Sequence, residues 1–249
     1  MKPLVSIITP SYNSSEFISQ TIESVLNQTF NNWEMIIIDD FSTDNSTTII
    51  KEYTNKDARI KLIELTKNSG PAKARNKGIA IAKGDFLTFI DADDVWFSTF
   101  LENSLEEEKN SEGFVFSSYE RKDENLKPKY ANFIVPHKVS YTDVLKTNSI
   151  SCLTAFINVK KLGKRYMPEV LYRQDMGLWL KYLRQINYAK GIKKPQAIYR
   201  IRKKSHSRKK LNLLHHQWNF YRNVAKLSVI SSGFYLLMWS ILGIKKYYL

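Results

Sequence analysis

Alternation of strand-length apolar runs with helical stripes predicts an α/β fold with a mainly parallel central sheet flanked by helices. Three observations carry that prediction. Apolar runs recur at residues 4–8, 33–38, 60–65, 86–90 and 114–119; apolar residues between them repeat at helical spacing; and carboxylates stand where two runs end, at Asp39-Asp40 and Asp91-Ala92-Asp93-Asp94. Right-handed crossovers bring both acidic ends to one edge of the sheet, where α/β folds bind ligands.

The elements follow in order. Residues 4–8 form the first strand, and Asn13 with Glu16 three residues later resembles a capping box for a helix bearing Phe17, Ile18, Ile22, Val25 and Leu26. Residues 33–38 form the second strand, a helix is expected around 46–53, and residues 60–65 return as a strand. Pro71 suits the first turn of a close-packed helix containing Ala72, Ala74, Gly78, Ile79 and Ala82. Gly84-Asp85 turns into the strand at 86–90. Ser98 is placed to cap a helix with Leu101 and Leu105 inward, before the strand at 114–119. Residues 122–138 are polar and predict an irregular loop. A later helix carries Leu178, Trp179, Tyr182 and Leu183, with Asp175 at its start.

Composition bounds the function classes. The 249 residues, 43% of them hydrophobic, suffice for a sizeable core. The organisation expected is one domain over 1–210, divided into a ligand-binding part at 1–97 and an acceptor part at 98–210, followed by an amphipathic helical tail at 211–249. A lone Cys152 leaves neither an internal disulfide nor a Cys-based metal site, and the first residues lack signal-peptide character, so a cytoplasmic protein is expected. Charge is strongly asymmetric: residues 1–157 carry 17 Lys+Arg against 22 Asp+Glu, residues 158–249 carry 21 against 2. A basic half implies an anionic partner. In the tail, residues 227–244 are marginal for a spanning helix, whereas Trp218, Phe220, Tyr221, Trp239, Tyr247 and Tyr248 suit a segment lying in a membrane interface.

Three clustered carboxylates repel one another unless a cation or hydrogen-bond donor joins them, and their hard oxygens suit Mg²⁺ or Mn²⁺. Asp40 alone would be a turn starter with Ser42 and Asp44. A second acidic strand end on the same edge favours a nucleoside diphosphate ligand, whose ring N–H or ribose a carboxylate can accept while a metal neutralises the diphosphate. Asp175, one of two acids among 21 basic residues, is expected to be ionised and able to take a proton, or else to cap its helix.

The segments Val5-Ser6-Ile7-Ile8-Thr9-Pro10-Ser11-Tyr12-Asn13, Gln28-Thr29-Phe30, Ile38-Asp39-Asp40-Phe41-Ser42-Thr43-Asp44, Gly70-Pro71-Ala72-Lys73-Ala74-Arg75-Asn76-Lys77-Gly78 and Asp91-Ala92-Asp93-Asp94 together resemble the family 2 glycosyltransferases of GT-A fold, over about the first 100 residues. The resemblance implies roles. Pro10 and Tyr12 would line the nucleobase pocket, Asp40 would accept from the uracil ring, Arg75 would lie near the diphosphate, Asp91 would face the ribose and Asp93 would ligate the metal. Asp94 is open between a second ligand and a turn cap. Tyr12 as a core aromatic and Arg75 as a surface residue are the bland alternatives.

Gln174-Asp175-Met176-Gly177-Leu178-Trp179 resembles the segment that carries the family's general base, with Gln174 where an acid is usual. Tyr199-Arg200-Ile201-Arg202 and Ser205-His206-Ser207 resemble a late segment whose Arg200, Arg202 and Lys204 would close over the diphosphate or face anionic lipid. The implied activity is inverting transfer of a sugar from a nucleotide sugar, UDP-linked, to a lipid-linked saccharide in surface polysaccharide assembly. The expected partners are the nucleotide-sugar donor, that acceptor and an anionic membrane surface at the inner face of the cytoplasmic membrane, without nucleic acid. Two rivals remain at this point: a phosphohydrolase with an aspartyl nucleophile, and a basic nucleic-acid-binding module, which would bind with strong salt dependence.

Overall fold

The computed structural model describes residues 4–202 and 213–248. Strands β1 (Val5–Ser11), β2 (Trp33–Asp39), β3 (Ile60–Glu64) and β4 (Phe86–Phe89) run parallel in the order β3-β2-β1-β4. Helices α1 (Ile18–Leu26), α2 (Ser46–Lys56) and α3 (Pro71–Ile81) make the crossovers. Every residue of β2 is buried, as expected of a strand covered on both faces. Alternate side chains feed two cores: Ile8, Ile36, Ile38 and Phe89 join Ala74 and Ile79 of α3, whereas Val5, Ile7, Met35 and Ile37 join Ile18, Ile22 and Ile50 of α1 and α2.

Beyond β4 the sheet becomes mixed. The chain adds β5 (Val95–Trp96), α4 (Phe100–Glu108), β6 (Phe114–Lys122), β7 (Pro128–Phe133), β8 (Lys138–Val139), α5 (Tyr141–Lys146), β9 (Phe156–Asn158), α6 (Val159–Leu162), α7 (Gln174–Leu183) and β10 (Ala189–Arg200). Strand β9 is antiparallel to both β4 and β6, and β6 and β10 are parallel. The chain ends in α8 (Leu213–Asn219), a π-helical turn at Phe220–Val224, and α9 (Val229–Tyr248).

Three local expectations are corrected. Asn13 is not a helix cap: it adopts a left-handed φ of 45°, its Oδ1 accepts from Thr43 N at 2.8 Å, and α1 begins only after Phe17. The side chain thus joins two loops rather than closing a helix. Ser98 does not cap α4; the residue before that helix is Thr99, and the Ser98 carbonyl accepts from Thr29 N. Residues 122–138 are not an irregular loop. Asp123 Oδ1 accepts from Asn125 N and Lys127 N, closing a hairpin, and Phe133 of β7 stacks on Tyr119 of β6 at 5.0 Å. Because β7 is exposed almost throughout, it has no apolar alternation to reveal it.

The C-terminal aromatics also divide. Phe220 and Tyr221 are buried in the same core as Trp179, and Tyr221 Oη donates to Leu145 O at 2.5 Å, so these two anchor the segment to α5 and α7 instead of facing an interface. Burial pushes the Tyr221 phenol up to about 12. No described helix is long and apolar enough to cross a membrane.

The segment leading into α7 is held by a close approach. A Cβ on Gly177 would meet Pro168 Cγ, and Pro168 Cδ at 2.8 Å. Gly177→Ala should therefore lower stability by about 1–3 kcal/mol through overpacking, seen as a fall in Tm by calorimetry.

Candidate active site

The site forms where β1, β2 and β4 end. Ile90 N donates to Ile8 O and Asp40 N to Ser11 O, which sets Asp91 on one side of Pro10 and Asp40 on the other. Tyr12, just past β1, is 48% exposed and is no core aromatic. Its flat ring is free to be covered by a ligand.

The two aspartates ending β2 do different things. Asp39 accepts from Ser42 N at 2.9 Å and Ser42 Oγ at 2.6 Å, which is the turn-starting arrangement. Asp40 instead accepts from Ser69 N and Gly70 N, each at 2.7 Å and each on its own carboxylate oxygen. These bonds hold the loop before α3, where Gly70 has a φ of 85°. Each oxygen keeps a second lone pair for a ligand donor.

Helix α3 aims Arg75 back at β4. The guanidinium is buried, and Nη2 lies 2.5 Å from Asp91 Oδ1. Burial disfavours its charge, but Asp91, with the nearby Cys152 and Asp175, holds Arg75 more firmly protonated than a free guanidinium. Its Nε has no hydrogen-bond partner. Arg75 is therefore buried against Asp91 and is no surface helix residue.

Asp93 and Asp94 are in costlier surroundings. Burial first, and the Asp91 charge second, raise the Asp93 carboxyl above the ordinary aspartate range, against the opposing pull of Arg202 Nη1 at 3.5 Å. Asp94 is raised further by burial and by both neighbouring carboxylates. Its Oδ1 accepts from Arg200 N at 2.8 Å, and its Oδ2 is buried with no partner. Two crowded carboxylates with an orphaned oxygen fit a hard divalent cation, which would relieve both repulsion and desolvation.

Arg200 corrects an expectation. It donates from Nε to Asp93 O at 2.6 Å, from Nη1 to Glu124 O at 2.5 Å and from Nη2 to Gln20 Oε1 at 2.6 Å, with its guanidinium 4.6 Å from the Phe17 ring. All three nitrogens are engaged, so Arg200 is a strut between β10, α1 and the β6–β7 turn rather than a closing arm. Arg202 is half-buried beside Asp93. Lys204 and His206 lie outside the described residues.

Asp175 is the second residue of α7, whose cap position is held by Arg173 in a left-handed conformation, φ 64°. Asp175 is thus no N-cap. Nor does the basic half keep it ionised in the simple way expected: burial raises its carboxyl above the ordinary range, and Asp91 adds to this, while Met176 N, Arg173 and Arg75 oppose. Asn148 Nδ2 donates to Asp175 Oδ2 at 3.2 Å, and Asn148 is oriented by Ile150 N, which donates to its Oδ1 at 3.1 Å. Gln174, standing where an acid was expected, donates to Val170 O at 2.8 Å and so clamps the loop before α7.

Asn148 went unnoticed in the sequence, and Cys152 was read only for what a lone cysteine excludes. Both come from the segment between α5 and β9, where no motif marks them. The buried Cys152 thiol is pushed up by burial, with Arg75 the main opposing charge. Electrostatically, Arg75 is the common neighbour of Asp91, Cys152 and Asp175. It joins the acidic strand end of the first half to the carboxylate of the second.

Comparison with known proteins gives the family and the fold. The model of the family "Glycosyl transferase family 2" matches residues 6–162. TuaG of Bacillus subtilis (strain 168), provisionally named a teichuronic acid biosynthesis glycosyltransferase, is 37% identical over 246 residues, covering 98% of each chain. WfgD of Escherichia coli, named UDP-Glc:alpha-D-GlcNAc-diphosphoundecaprenol beta-1,3-glucosyltransferase, is 35% identical over 98% of this chain and 95% of its own. Among solved structures, S. aureus TarS 1–349 in complex with UDP-GlcNAc superposes with a TM-score of 0.71 at 22% identity, covering 94% of this chain and 71% of that one. The Pyrobaculum calidifontis mannosyltransferase PcManGT, in complex with GDP-Man and Mn²⁺, gives 0.69 at 17% identity over 95% of this chain and 70% of that one. Both neighbours share the GT-A fold.

Proposed function

The chain belongs to glycosyl transferase family 2, and from that premise we propose that it moves a sugar from a nucleoside diphosphate sugar, UDP-linked, to a hydroxyl of a lipid-linked saccharide, with inversion. The observation that carries this reading is the Arg75 neighbourhood, which joins Asp91 to Asp175. A donor bound along the first half would lie beside the one carboxylate suited to deprotonate an acceptor.

The donor end is supported by exposed Tyr12 beside Pro10 for the nucleobase, by the spare lone pairs of Asp40 for a ring N–H, and by Asp91 for a ribose hydroxyl. Arg75 has an unpartnered Nε to donate toward the diphosphate. A Mg²⁺ or Mn²⁺ would be held by Asp93, with Asp94 the candidate second ligand. When bound it supplies neutralisation of the charge that develops on the diphosphate. Among the described residues no group of three or more His, Cys, Asp or Glu side chains could hold a metal, so substrate oxygens and water would complete the coordination, as is usual for Mg²⁺.

The acceptor hydroxyl attacks the anomeric carbon on the face opposite the diphosphate. As that C–O bond forms, the bond from the anomeric carbon to the diphosphate oxygen breaks, its electron pair leaves with the nucleoside diphosphate, and the acceptor proton passes to Asp175. The acceptor reading draws on the undecaprenol-linked substrate in the name of WfgD. Such an acceptor would put the protein at the inner face of the cytoplasmic membrane, on its surface. The direct test measures nucleotide release across a panel of nucleotide sugars with Mn²⁺ or Mg²⁺, with and without a lipid-linked saccharide. Release of nucleotide and transfer of label to the lipid are expected; free phosphate without any sugar transfer would favour a phosphohydrolase instead.

The base also makes a pH prediction. Because burial raises the Asp175 carboxyl, the acid limb of kcat/KM should lie above the ordinary aspartate value of about 4. The Asn148 amide N–H favours the ionised form, so Asn148→Leu, which cannot donate, should move that limb to higher pH and leave the plateau less affected. A limb that stays in place would show that Asn148 does not tune the base.

A further inference from the structure

Helix α9 has two apolar faces. On one, Tyr235 and Leu236 pack against the core and Ser232 is buried. On the other, Ile230, Phe234, Leu237 and Ile241 recur at i, i+4, i+7 and i+11, which places them in one stripe along the helix. They are 87%, 54%, 60% and 52% exposed, an unusual concentration of large apolar surface for a soluble face. These are not the aromatics that the sequence singled out.

The opposite face of the helix touches the loop that leads into α7. The Arg173 guanidinium lies 5.3 Å from the Trp239 ring of α9, and Arg173 is the residue before α7, two positions from Asp175. Leu171, in the same loop, is 75% exposed. The loop that introduces Asp175 therefore rests against the helix that bears the stripe.

Charge decides what covers it. After Asp175 the chain has 16 Lys and Arg and no Asp or Glu. Exposed Lys226 precedes α9, and Lys245 and Lys246 fall near its end in sequence. A second copy of this chain would bring like charge to like, since the whole protein carries +14. An anionic bilayer brings both the apolar medium and the opposite charge. The helix is not apolar enough to span, which leaves an orientation in the plane of the surface.

We infer that α9 docks on an anionic phospholipid surface with Ile230, Phe234, Leu237 and Ile241 inserted, while the Asp175 loop, which meets Trp239 on the opposite face of the helix, stands about one helix diameter above the bilayer. The docking stands on the helix alone; its value for catalysis rests on the lipid-linked acceptor proposed above. With the bilayer at α9, the saccharide of a lipid-anchored acceptor has only about one helix diameter to span to reach Asp175 while its lipid stays in the membrane.

The test uses the full chain and vesicles of phosphatidylcholine with or without phosphatidylglycerol. Sedimentation with the anionic vesicles is expected, weakening as salt is raised. The combined variant Ile230→Ser, Phe234→Ser, Leu237→Ser, Ile241→Ser should bind on the order of 100-fold more weakly, with an unchanged thermal melt and unchanged transfer to a short-chain, water-soluble acceptor. Failure of the wild type to prefer anionic vesicles, or wild-type binding by the variant, overturns the inference. So does a dimer that the variant converts to monomer while vesicles bind neither protein, because a second copy would then cover the stripe. Vesicle binding without sugar transfer to any acceptor would leave the docking in place and count against the transferase reading alone.

Discussion

Asp175→Asn should lower kcat by about 10²–10⁴-fold while leaving the donor KM nearly unchanged, since the substitution removes a proton acceptor and nothing that binds the nucleotide. Asparagine has the same shape and keeps an oxygen to accept from Asn148 Nδ2, so the loop before α7 should stay in place. Stability should move the other way from activity. The carboxyl of Asp175 is raised in the folded protein, so its contribution is fully present below the ordinary aspartate value and is lost as pH rises through the folded value. At neutral pH the wild type therefore carries a buried charge that the variant lacks, and the variant should melt at the same temperature or higher. Steady-state kinetics with a calorimetric scan reads both. A variant with wild-type kcat would remove Asp175 from the base role, whereas one that is inactive because it is unfolded would show itself in the scan.

Why was the donor half so legible and the rest less so? Within residues 5–89 the strands run parallel, β1, β2 and β4 are covered on both faces, and such burial produces uninterrupted apolar runs such as residues 35–38 that can be read from the sequence. The acidic strand ends follow directly from those runs. Strand β7 broke the rule because its pairing is helped by the Asp123 carboxylate, which accepts from Lys127 N, and by Tyr119–Phe133 stacking rather than by a buried face. Asn13 satisfied the composition of a cap, but a long-range partner at Thr43 took its side-chain oxygen first, and Ser98 missed the cap because α4 begins one residue later, after Thr99.

The same distinction governs the site. Arg75 and Asp91 are 16 positions apart, on α3 and at the end of β4, and their motifs pointed to both; their ion pair joins two predicted elements. Asn148, Cys152 and Gln174 belong to a stretch without apolar periodicity, where position depends on tertiary contacts such as Trp179 Nε1 to Ile150 O at 3.2 Å. Arg200 misled for a related reason. Its charge was plain in the sequence, but the three acceptors that consume that charge, Asp93 O, Glu124 O and Gln20 Oε1, come from segments as distant as α1.

Asp93→Asn should reduce kcat/KM by at least about 10³-fold and abolish tight Mn²⁺ binding in the presence of nucleotide, while raising the stability of the ligand-free protein. The two effects have one cause. Asp91, Asp93 and Asp94 stand within four residues, and in the absence of a cation Asp93 is opposed by burial and by Asp91, with Arg202 at 3.5 Å and a backbone hydrogen bond in compensation. Removing one negative charge relieves that repulsion and also relieves Asp94, whose Oδ2 has no partner. The same removal takes away the anionic oxygen that a divalent cation needs, and amide oxygen is a poor substitute at a hard metal. A fold that keeps such a cluster forgoes stability, the trade expected if the cluster holds the cation proposed above. Electron paramagnetic resonance of Mn²⁺ titrated into protein with UDP measures the binding, and thermal melts without metal measure the relief. If Asp93→Asn binds Mn²⁺ like wild type, the metal is held elsewhere; if it melts lower, the Asp93 carboxylate is a structural partner and the repulsion argument is wrong.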